Sequence, residues 1–563
     1  MRLRALIPGL LLLLMGCASI PTSGPVESLP VTVPPRGIEI APEPPQPGIS
    51  PGRLIDGFLQ AMADPEADYA VARQYLTLAA GKAWDPSVGA SIYEGAVTGD
   101  GNAFSLRGGR TGVLDANGRF TAANEAITVD LDVVEEDGEW RIAHVPDGVL
   151  VSRFMFDRYY SHATVYFMGA AGDLVIPDII HVPEPLLTPT RIVQSQIAGP
   201  STAVAGVVRN ALPSGVVLGG AGATVDQNGI AVVSFRNLPD SMSEELRRQL
   251  GAQLLWSLTA IPRVTGLRVI GDGGPLELPG QDAEGVLELA SQQGYQALSR
   301  AATPDLFGVR DGVAGRVGTA GSFIAMGSDG VRVSEVAASL DVALVAFIDE
   351  NRRVVLVGPL GGQLTQVVPD LLEIRDAQFA SGQLWVLGDD PKGRVRLLRI
   401  DSQGGQTFVE TDALPGTIER FAIAQTGTRG AFVVNVAGEP HLVMATLGVS
   451  SGPVVMGSWP LLLMDESAEE LHGITDISWS SETELAVLAG AVEAPSVYLV
   501  QMDGSAVEHL GPVPVVPTQI TALPRMGGDA VVVRSADGVV IRYEARTRWS
   551  PLDLALSQVN YPG

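Results

Sequence analysis

Cysteine is almost absent: Cys17 is the one thiol in 563 residues. No intramolecular disulfide can form, so packing alone must hold whatever folds. Histidine is scarce as well. The six, His144, His162, His181, His441, His472 and His509, include no pair at the three- or four-residue spacing of a metal site. Basic residues are outnumbered, 37 against 63 acids, and the net charge of −26 repels phosphate backbones, which disfavours nucleic acid as a partner. The chain also lacks a Gly-x-Ser-x-Gly elbow, a Walker-type loop and a helix-loop-helix calcium loop, so the common hydrolase, nucleotide and calcium chemistries have no motif to stand on.

What is there begins at the amino terminus. Arg2 and Arg4 precede an apolar run from Leu6 to Met15, then Gly16 and Cys17. A basic start, a hydrophobic stretch of about ten residues and a small residue before the cut make a secretion signal. The run is too short for a membrane-spanning helix, which needs roughly 20 apolar residues. Leu14-Met15-Gly16-Cys17 reads as a lipobox, with residues 1–16 as signal peptide and Cys17 as the lipidated amino terminus. Residues 17–51 carry ten prolines, from Pro21 to Pro51, and few large apolar side chains. That composition favours extended polyproline II over a core, so this stretch is expected to be a tether. Two acyl chains on one cysteine anchor stably where one does not.

Roughly 510 residues remain, enough for three or four domains. In residues 52–150, Leu54, Ile55, Phe58, Leu59 and Met62 recur at helical spacing, and Tyr69, Ala72, Arg73 and Leu76 suggest a second helix. Strand signals follow at Ile92 to Val97, Ala103 to Leu106 and the alternation Ile127, Val129, Leu131, Val133. Asp137-Gly138 is a hairpin turn pair leading into Glu139-Trp140-Arg141-Ile142. Helices first and a curled antiparallel sheet after resemble the α+β fold of the nuclear-transport-factor-2 type (NTF2-like). Enzymes on that fold place Asp and His inside the cone, whereas His144 here is expected after the last strand, so an accessory or binding body is the reading.

Residues 160–280 alternate strand and helix, an α+β pattern. Val165 to Phe167 starts a strand, Thr188-Pro189 opens a helix, and Ile230 to Phe235 is a strand. Ser241-Met242-Ser243-Glu244 reads as a capping box, Leu246, Leu250, Leu254 and Leu258 as one helix face, and Val264 to Ile270 as a returning strand. These segments, with Gly199-Pro200 and Leu212-Pro213, resemble a GerMN domain, a family of envelope and sporulation proteins without established catalytic residues. Gly219-Gly220-Ala221-Gly222 lacks the third glycine of a dinucleotide site and reads as a turn.

Residues 290–563 repeat. Asp376 to Phe379 then Leu384 to Leu387 matches Asp476 to Trp479 then Leu485 to Leu488, each followed by a further strand and a glycine turn. Looser copies start near Ala302, Val333, Ile418 and Ile520. Unit lengths of about 40 to 55 residues with several short strands mark a β-propeller of about six blades, or seven if closure splits one. A pair of β-sandwiches is the alternative. The fold class expected is therefore multidomain: an N-terminal α+β body, a GerMN-like α+β body and a C-terminal all-β propeller.

The order of parts, and above all Cys17-Ala-Ser-Ile-Pro-Thr-Ser-Gly-Pro25, resembles the actinobacterial LpqB lipoproteins along essentially the whole chain. The resemblance implies a lipoprotein on the extracytoplasmic face of the cell membrane. It further implies action on the extracytoplasmic part of an MtrB-like sensor histidine kinase, within an MtrB/MtrA two-component system serving cell-wall homeostasis and division. It implies no enzyme, cofactor or metal.

Candidate chemistry is thin. The acid pairs Glu135-Glu136 and Asp389-Asp390 precede turn residues and are expected on solvated loops. They would serve as glycosidase carboxylates only if brought within about 5 to 10 Å of opposing partners. Arg247-Arg248, flanked by Glu244 and Glu245, reads as an exposed ion-paired helix face. A secreted propeller enzyme or a binding module for wall glycan remains the competing expectation. No catalytic, cofactor or metal residue is nominated, and Cys17 is the one site. Replacing Cys17 with Ala should move the protein from the membrane to the soluble fraction on cell fractionation; persistence in the membrane fraction would mean a different anchor.

Overall fold

The computed structural model describes residues 42–239, 241–298, 305–318, 321–449, 452–464, 470–525, 530–545 and 547–563. Cys17, the signal peptide and most of the expected tether lie outside the described residues. The tether was expected to reach Pro51, but its last stretch rests on the first body. Tyr75 Oη donates to the Glu43 carbonyl at 2.7 Å, the Gly48 N–H donates to Glu139 at 3.0 Å, and Ile49 packs on the core.

The first body opens with α1 (Pro51–Ala61), whose Leu54, Ile55 and Phe58 are fully buried. Pro51 at its first turn supplies a preset φ where no N–H partner is needed. Gly57 sits against the Tyr75 ring, where a Cβ would come within 2.6 Å of the hydroxyl, so this turn of helix admits no side chain. Helices α2 (Glu66–Gln74) and α3 (Leu78–Ala83) complete the layer. The sheet runs β1 (Gly89–Asp100), β2 (Ala103–Asp115), β3 (Phe120–Glu136) and β4 (Glu139–Ile142) as an antiparallel meander. Asp137 and Gly138 have φ of 55° and 81°, the two positive values a type I′ hairpin turn requires. His144 does not follow the last strand, as expected, because β5 (Val149–Ser152) comes after it and pairs parallel to β1. Its apolar Val149, Leu150 and Val151 were too short a run to signal a strand alone.

The first body ends with α4 (Arg153–Tyr159), whose Phe156 joins its core, and the second opens with β6 (Tyr160–Gly169), which pairs antiparallel with β7 (Val175–Pro183). Helix α5 (Pro189–Ala198) is capped by Thr188, whose hydroxyl accepts the Arg191 N–H. After the short β8 (Val208–Arg209) come β9 (Val217–Val225), β10 (Ile230–Arg236), α6 (Glu244–Leu258) and β11 (Gly266–Gly271). Two corrections belong here. The cap of α6 is Ser243, whose hydroxyl accepts the Leu246 N–H at 3.1 Å, not a box begun at Ser241. Gly219 to Gly222 is not a free turn but a bulge inside β9, where the pairing with β10 skips from Ala223 to Leu218.

Beside the expected leucine face of α6 runs a second buried stripe, Gln249, Gln253 and Ser257, at the same four-residue spacing. Ser257 accepts the Tyr166 N–H at 2.8 Å, and Gln253 accepts the N–H groups of Met168 at 3.3 Å and Ala211 at 2.8 Å. Helix side chains thus satisfy the edge of β6 where no strand does, a requirement for any buried backbone donor.

Among the described residues, the third body is six four-stranded antiparallel sheets. Blades two to six begin at Val333, Glu373, Thr417, Asp476 and Pro517. Blade one joins three strands from Leu306–Arg310 to Phe323–Ala325 with the carboxy-terminal strand Gln558–Asn560, which pairs with Leu306–Arg310. The carboxy-terminal strand thereby closes the ring against the propeller's first strands. Removing Gln558 to Gly563 deletes that strand with the buried Val559 and Tyr561. We expect the melting temperature, followed by circular dichroism, to fall by on the order of 10 °C; an unchanged transition would show that the clasp does not hold the ring.

Candidate functional site

Six innermost strands converge on the propeller axis, and four of them carry a one-residue bulge just before Glu335, Asp376, Arg420 and Gln519. The bulge re-aims these side chains: those of Glu335, Arg420 and Gln519 reach the next blade, while Asp376 accepts the Ala377 N–H of its own strand. Glu335 accepts the Ala377 N–H at 2.8 Å and the Arg352 guanidinium at 2.7 Å. Gln378 brackets the backbone of Ile423, and Asp476 accepts the Ile520 N–H at 2.8 Å. Gln519 takes both polar groups of Val559, and Gln558 takes both of Val336 across the closure. The remaining junction, blade four to blade five, is made by Arg420 beside Asp476 at 3.7 Å and by the Trp479 indole donating to Ala422. Each blade is a sheet of its own, so each inner strand presents to the axis backbone groups that no strand of the neighbouring blade pairs. These side chains replace the missing ladder.

The axis therefore holds converging acids, Glu335, Asp376 and Asp476, yet the cavity they line together with Tyr561, Pro562 and Gly563 measures only about 60 Å³. Burial lifts all three carboxyls: Asp476 is pushed up to about 7, while Glu335 and Asp376 rise together, the charge of Asp376 also raising Glu335. Perturbed carboxyls of this kind are a common mark of catalysis. Here their oxygens accept backbone N–H groups, and no room for a sugar ring remains beside them.

The second constellation lies where the three bodies meet. His162 and His181 face each other in register on β6 and β7, with ring centroids 6.4 Å apart. His181 is buried against Phe120 and Phe156, and its Nε2 lies 2.8 Å from the Asp503 carboxylate of the propeller. Burial raises Asp503, but the His181 contact and the Ser505 N–H outweigh it and hold the carboxyl below its ordinary value. Around this pair, Arg119 of the first body reaches the Gly199 carbonyl and lies 3.6 Å from Asp178. Arg429 of the propeller reaches the Pro177 carbonyl and the Met502 sulfur, and burial lowers its guanidinium to about 10. Tyr166 donates to Glu482 at 2.6 Å, and Arg153 donates to the Ser505 carbonyl at 2.7 Å. Residues 42–563 form one compact unit through these contacts. A cavity of about 1030 Å³ opens beside them, walled by all three bodies.

The other nominated residues have structural positions. Glu135 and Glu136 end β3 rather than sitting on a loop, and Glu136 accepts the Leu78 N–H at 3.2 Å. Asp389 ends a strand and is paired with Arg375 at 2.7 Å, while Asp390 is buried and not solvated. The N–H of Arg394, then its guanidinium and the N–H of Lys392, pull Asp390 down to about 2. Arg248 pairs with Glu244 and Glu245 at 2.6 Å as expected, whereas Arg247 bonds the Glu277 carbonyl. His441 and His472 line the junction cavity. Among the described residues no group of three or more His, Cys, Asp or Glu is placed to hold a metal ion.

Three family models match in chain order: lipoprotein LpqB, N-terminal domain, over 44–157; sporulation and spore germination over 164–277; and lipoprotein LpqB beta-propeller domain over 321–562. The chain belongs to the LpqB lipoprotein family. It is 28% identical over 585 residues to the LpqB lipoprotein of Cutibacterium acnes, covering 99% of this chain and 98% of that one. The LpqB lipoprotein of Nocardia farcinica is 28% identical, with 89% and 87% covered, and that of Thermobifida fusca 28%, with 88% of each. Among solved structures, the chain is similar to one in the nidogen/laminin complex at 10% identity and a TM-score of 0.35, over 46% of this chain and 97% of that one. At that TM-score the likeness carries nothing about activity. The LpqB relatives are named as lipoproteins, and among the described residues no helix is long and apolar enough to cross a membrane.

The axial acids give the protein a pH signature. An acid whose folded pKa lies above its unfolded value stabilises the fold below the unfolded pKa, and that contribution is lost as pH rises through the folded pKa. For Asp476 the window runs from its ordinary 3.8 to about 7. The melting temperature should therefore fall by about 3–5 °C between pH 5 and pH 8, and Asp476→Asn, which keeps an acceptor for Ile520, should flatten the profile. A variant profile parallel to the wild type would remove Asp476 as the cause.

Proposed function

We propose that the protein is an extracytoplasmic, membrane-anchored modulator of a sensor histidine kinase of the MtrB type, acting in cell-wall homeostasis and division without catalysing a reaction. The observation that carries the non-enzymatic part is the state of the propeller axis. Its carboxylates accept backbone N–H groups of the fold, those of Glu335 and Asp476 from the next blade, and the carboxy-terminal residues help to line a cavity of only about 60 Å³. What the molecule offers instead is surface: three bodies locked together, with the loop-rich ends of a propeller facing outward. The kinase comes from membership of the LpqB family, and a lipid at Cys17 would keep the body beside membrane receptors.

A wall-glycan enzyme is the rival reading, and the raised axial carboxyls are what favour it. Photo-crosslinking from propeller loops in living cells separates the two. We expect an adduct with a membrane sensor kinase, identified by mass spectrometry. Adducts with glycan fragments alone would overturn the modulator reading.

A further inference from the structure

The junction cavity has the chemistry of a ligand site. Its deep end is marked by two guanidinium groups. Arg429 is 3% exposed, yet among the described residues its donors reach only the Pro177 carbonyl and the Met502 sulfur. The Nε of Arg119 makes no hydrogen bond, although its guanidinium lies 3.6 Å from Asp178 and 3.9 Å from Asp115. The acids nearby also bind donors of the fold itself. Asp178 binds the N–H and hydroxyl of Ser201 at 2.8 and 2.7 Å. Asp503 binds His181 and the Ser505 N–H, and Asp115 binds the N–H groups of Asn117 and Arg119. Away from that end the walls are apolar, with Ile179, Met444, Trp459 and Leu461 among them. His441, His472 and Glu470 also border the space.

We propose that this cavity binds an amphipathic anion, a phosphate or carboxylate head carrying a single apolar chain or ring system. The head lies against Arg119 and Arg429, whose planar forks suit such groups. The tail lies along Trp459 and Leu461. The volume of about 1030 Å³ stands at the upper end of ordinary ligand pockets, which suits a chain rather than a small ion. Because residues from all three bodies line the space, an occupant would touch each of them at once.

The test uses the full lipidated chain in phosphatidylcholine nanodiscs, with empty discs as the blank. Octyl phosphate, octylammonium and octyl glucoside share one tail and differ only in head charge. Isothermal titration should show octyl phosphate binding at least about tenfold more tightly than the other two. Arg429→Gln should remove that preference. Ala123→Trp fills the cavity from a half-buried wall position, leaves both arginines in place, and should abolish binding while the melting temperature holds. Equal binding of all three compounds, no binding of octyl phosphate above the blank, or unchanged binding to a folded Ala123→Trp would each overturn the proposal.

Discussion

Within residues 42–563, a buried polar contact, His181 against Asp503, ties the second body to the propeller. Charged and polar groups leave water at a cost that only good partners offset. Here the partners come from every direction: Ser505 on Asp503, Ser201 on Asp178, and the Gly199 and Pro177 carbonyls on the two arginines. Removing one member of such a set leaves its partner buried and unpaired, which costs about 3–5 kcal/mol in comparable cases. Three bodies that each have their own core are thereby held at one relative placement, and the large cavity is a by-product of that placement. Its walls belong to no single body.

The propeller solves a different problem with the same means. Radial blades cannot pair their inner strands with one another, so each inner strand would bury unsatisfied backbone groups near the axis. A bulge before Glu335, Arg420 and Gln519 turns a polar side chain sideways onto the next blade. The choice of acid or amide at these positions follows from what faces it: Glu335 meets an N–H and a guanidinium and takes the carboxylate, while Gln519 and Gln558 meet both an N–H and a C=O and take the amide. Gln558 makes this link across the closure, so the final strand is held by side chain as well as by ladder.

How much of this was legible in the sequence depended on the range of the interaction. Helix α1, the Asp137-Gly138 hairpin, the Thr188 cap and the blade repeat are local patterns, set by spacing within one element or between copies of one unit, and they read directly. Strand β5 did not, because three apolar residues are ambiguous until β1 is beside them. The stripe Gln249, Gln253, Ser257 was invisible because it looks like a solvated face; only the unpaired edge of β6 makes it a buried one. The junction was beyond reach in principle. His181 and Asp503 are 322 residues apart, and neither carries a local motif. Asp389-Asp390 misled for the opposite reason, since an acid before a turn looks solvated until its oxygens are seen bonding Lys392 and Arg394.

The contrast between the two polar centres decides where chemistry or binding is to be sought. Both contain buried ionisable groups with displaced pKa values, so displacement alone does not discriminate. Counting donors and acceptors does. At the axis, the carboxylates meet N–H groups of the fold itself, and the cavity beside them is only about 60 Å³. At the junction the Arg119 Nε makes no hydrogen bond, although its guanidinium lies beside Asp178 and Asp115, and a space of about 1030 Å³ stays open next to it. Two guanidinium groups thus border open space at the meeting point of the three bodies, where an anion would face both and contact all three.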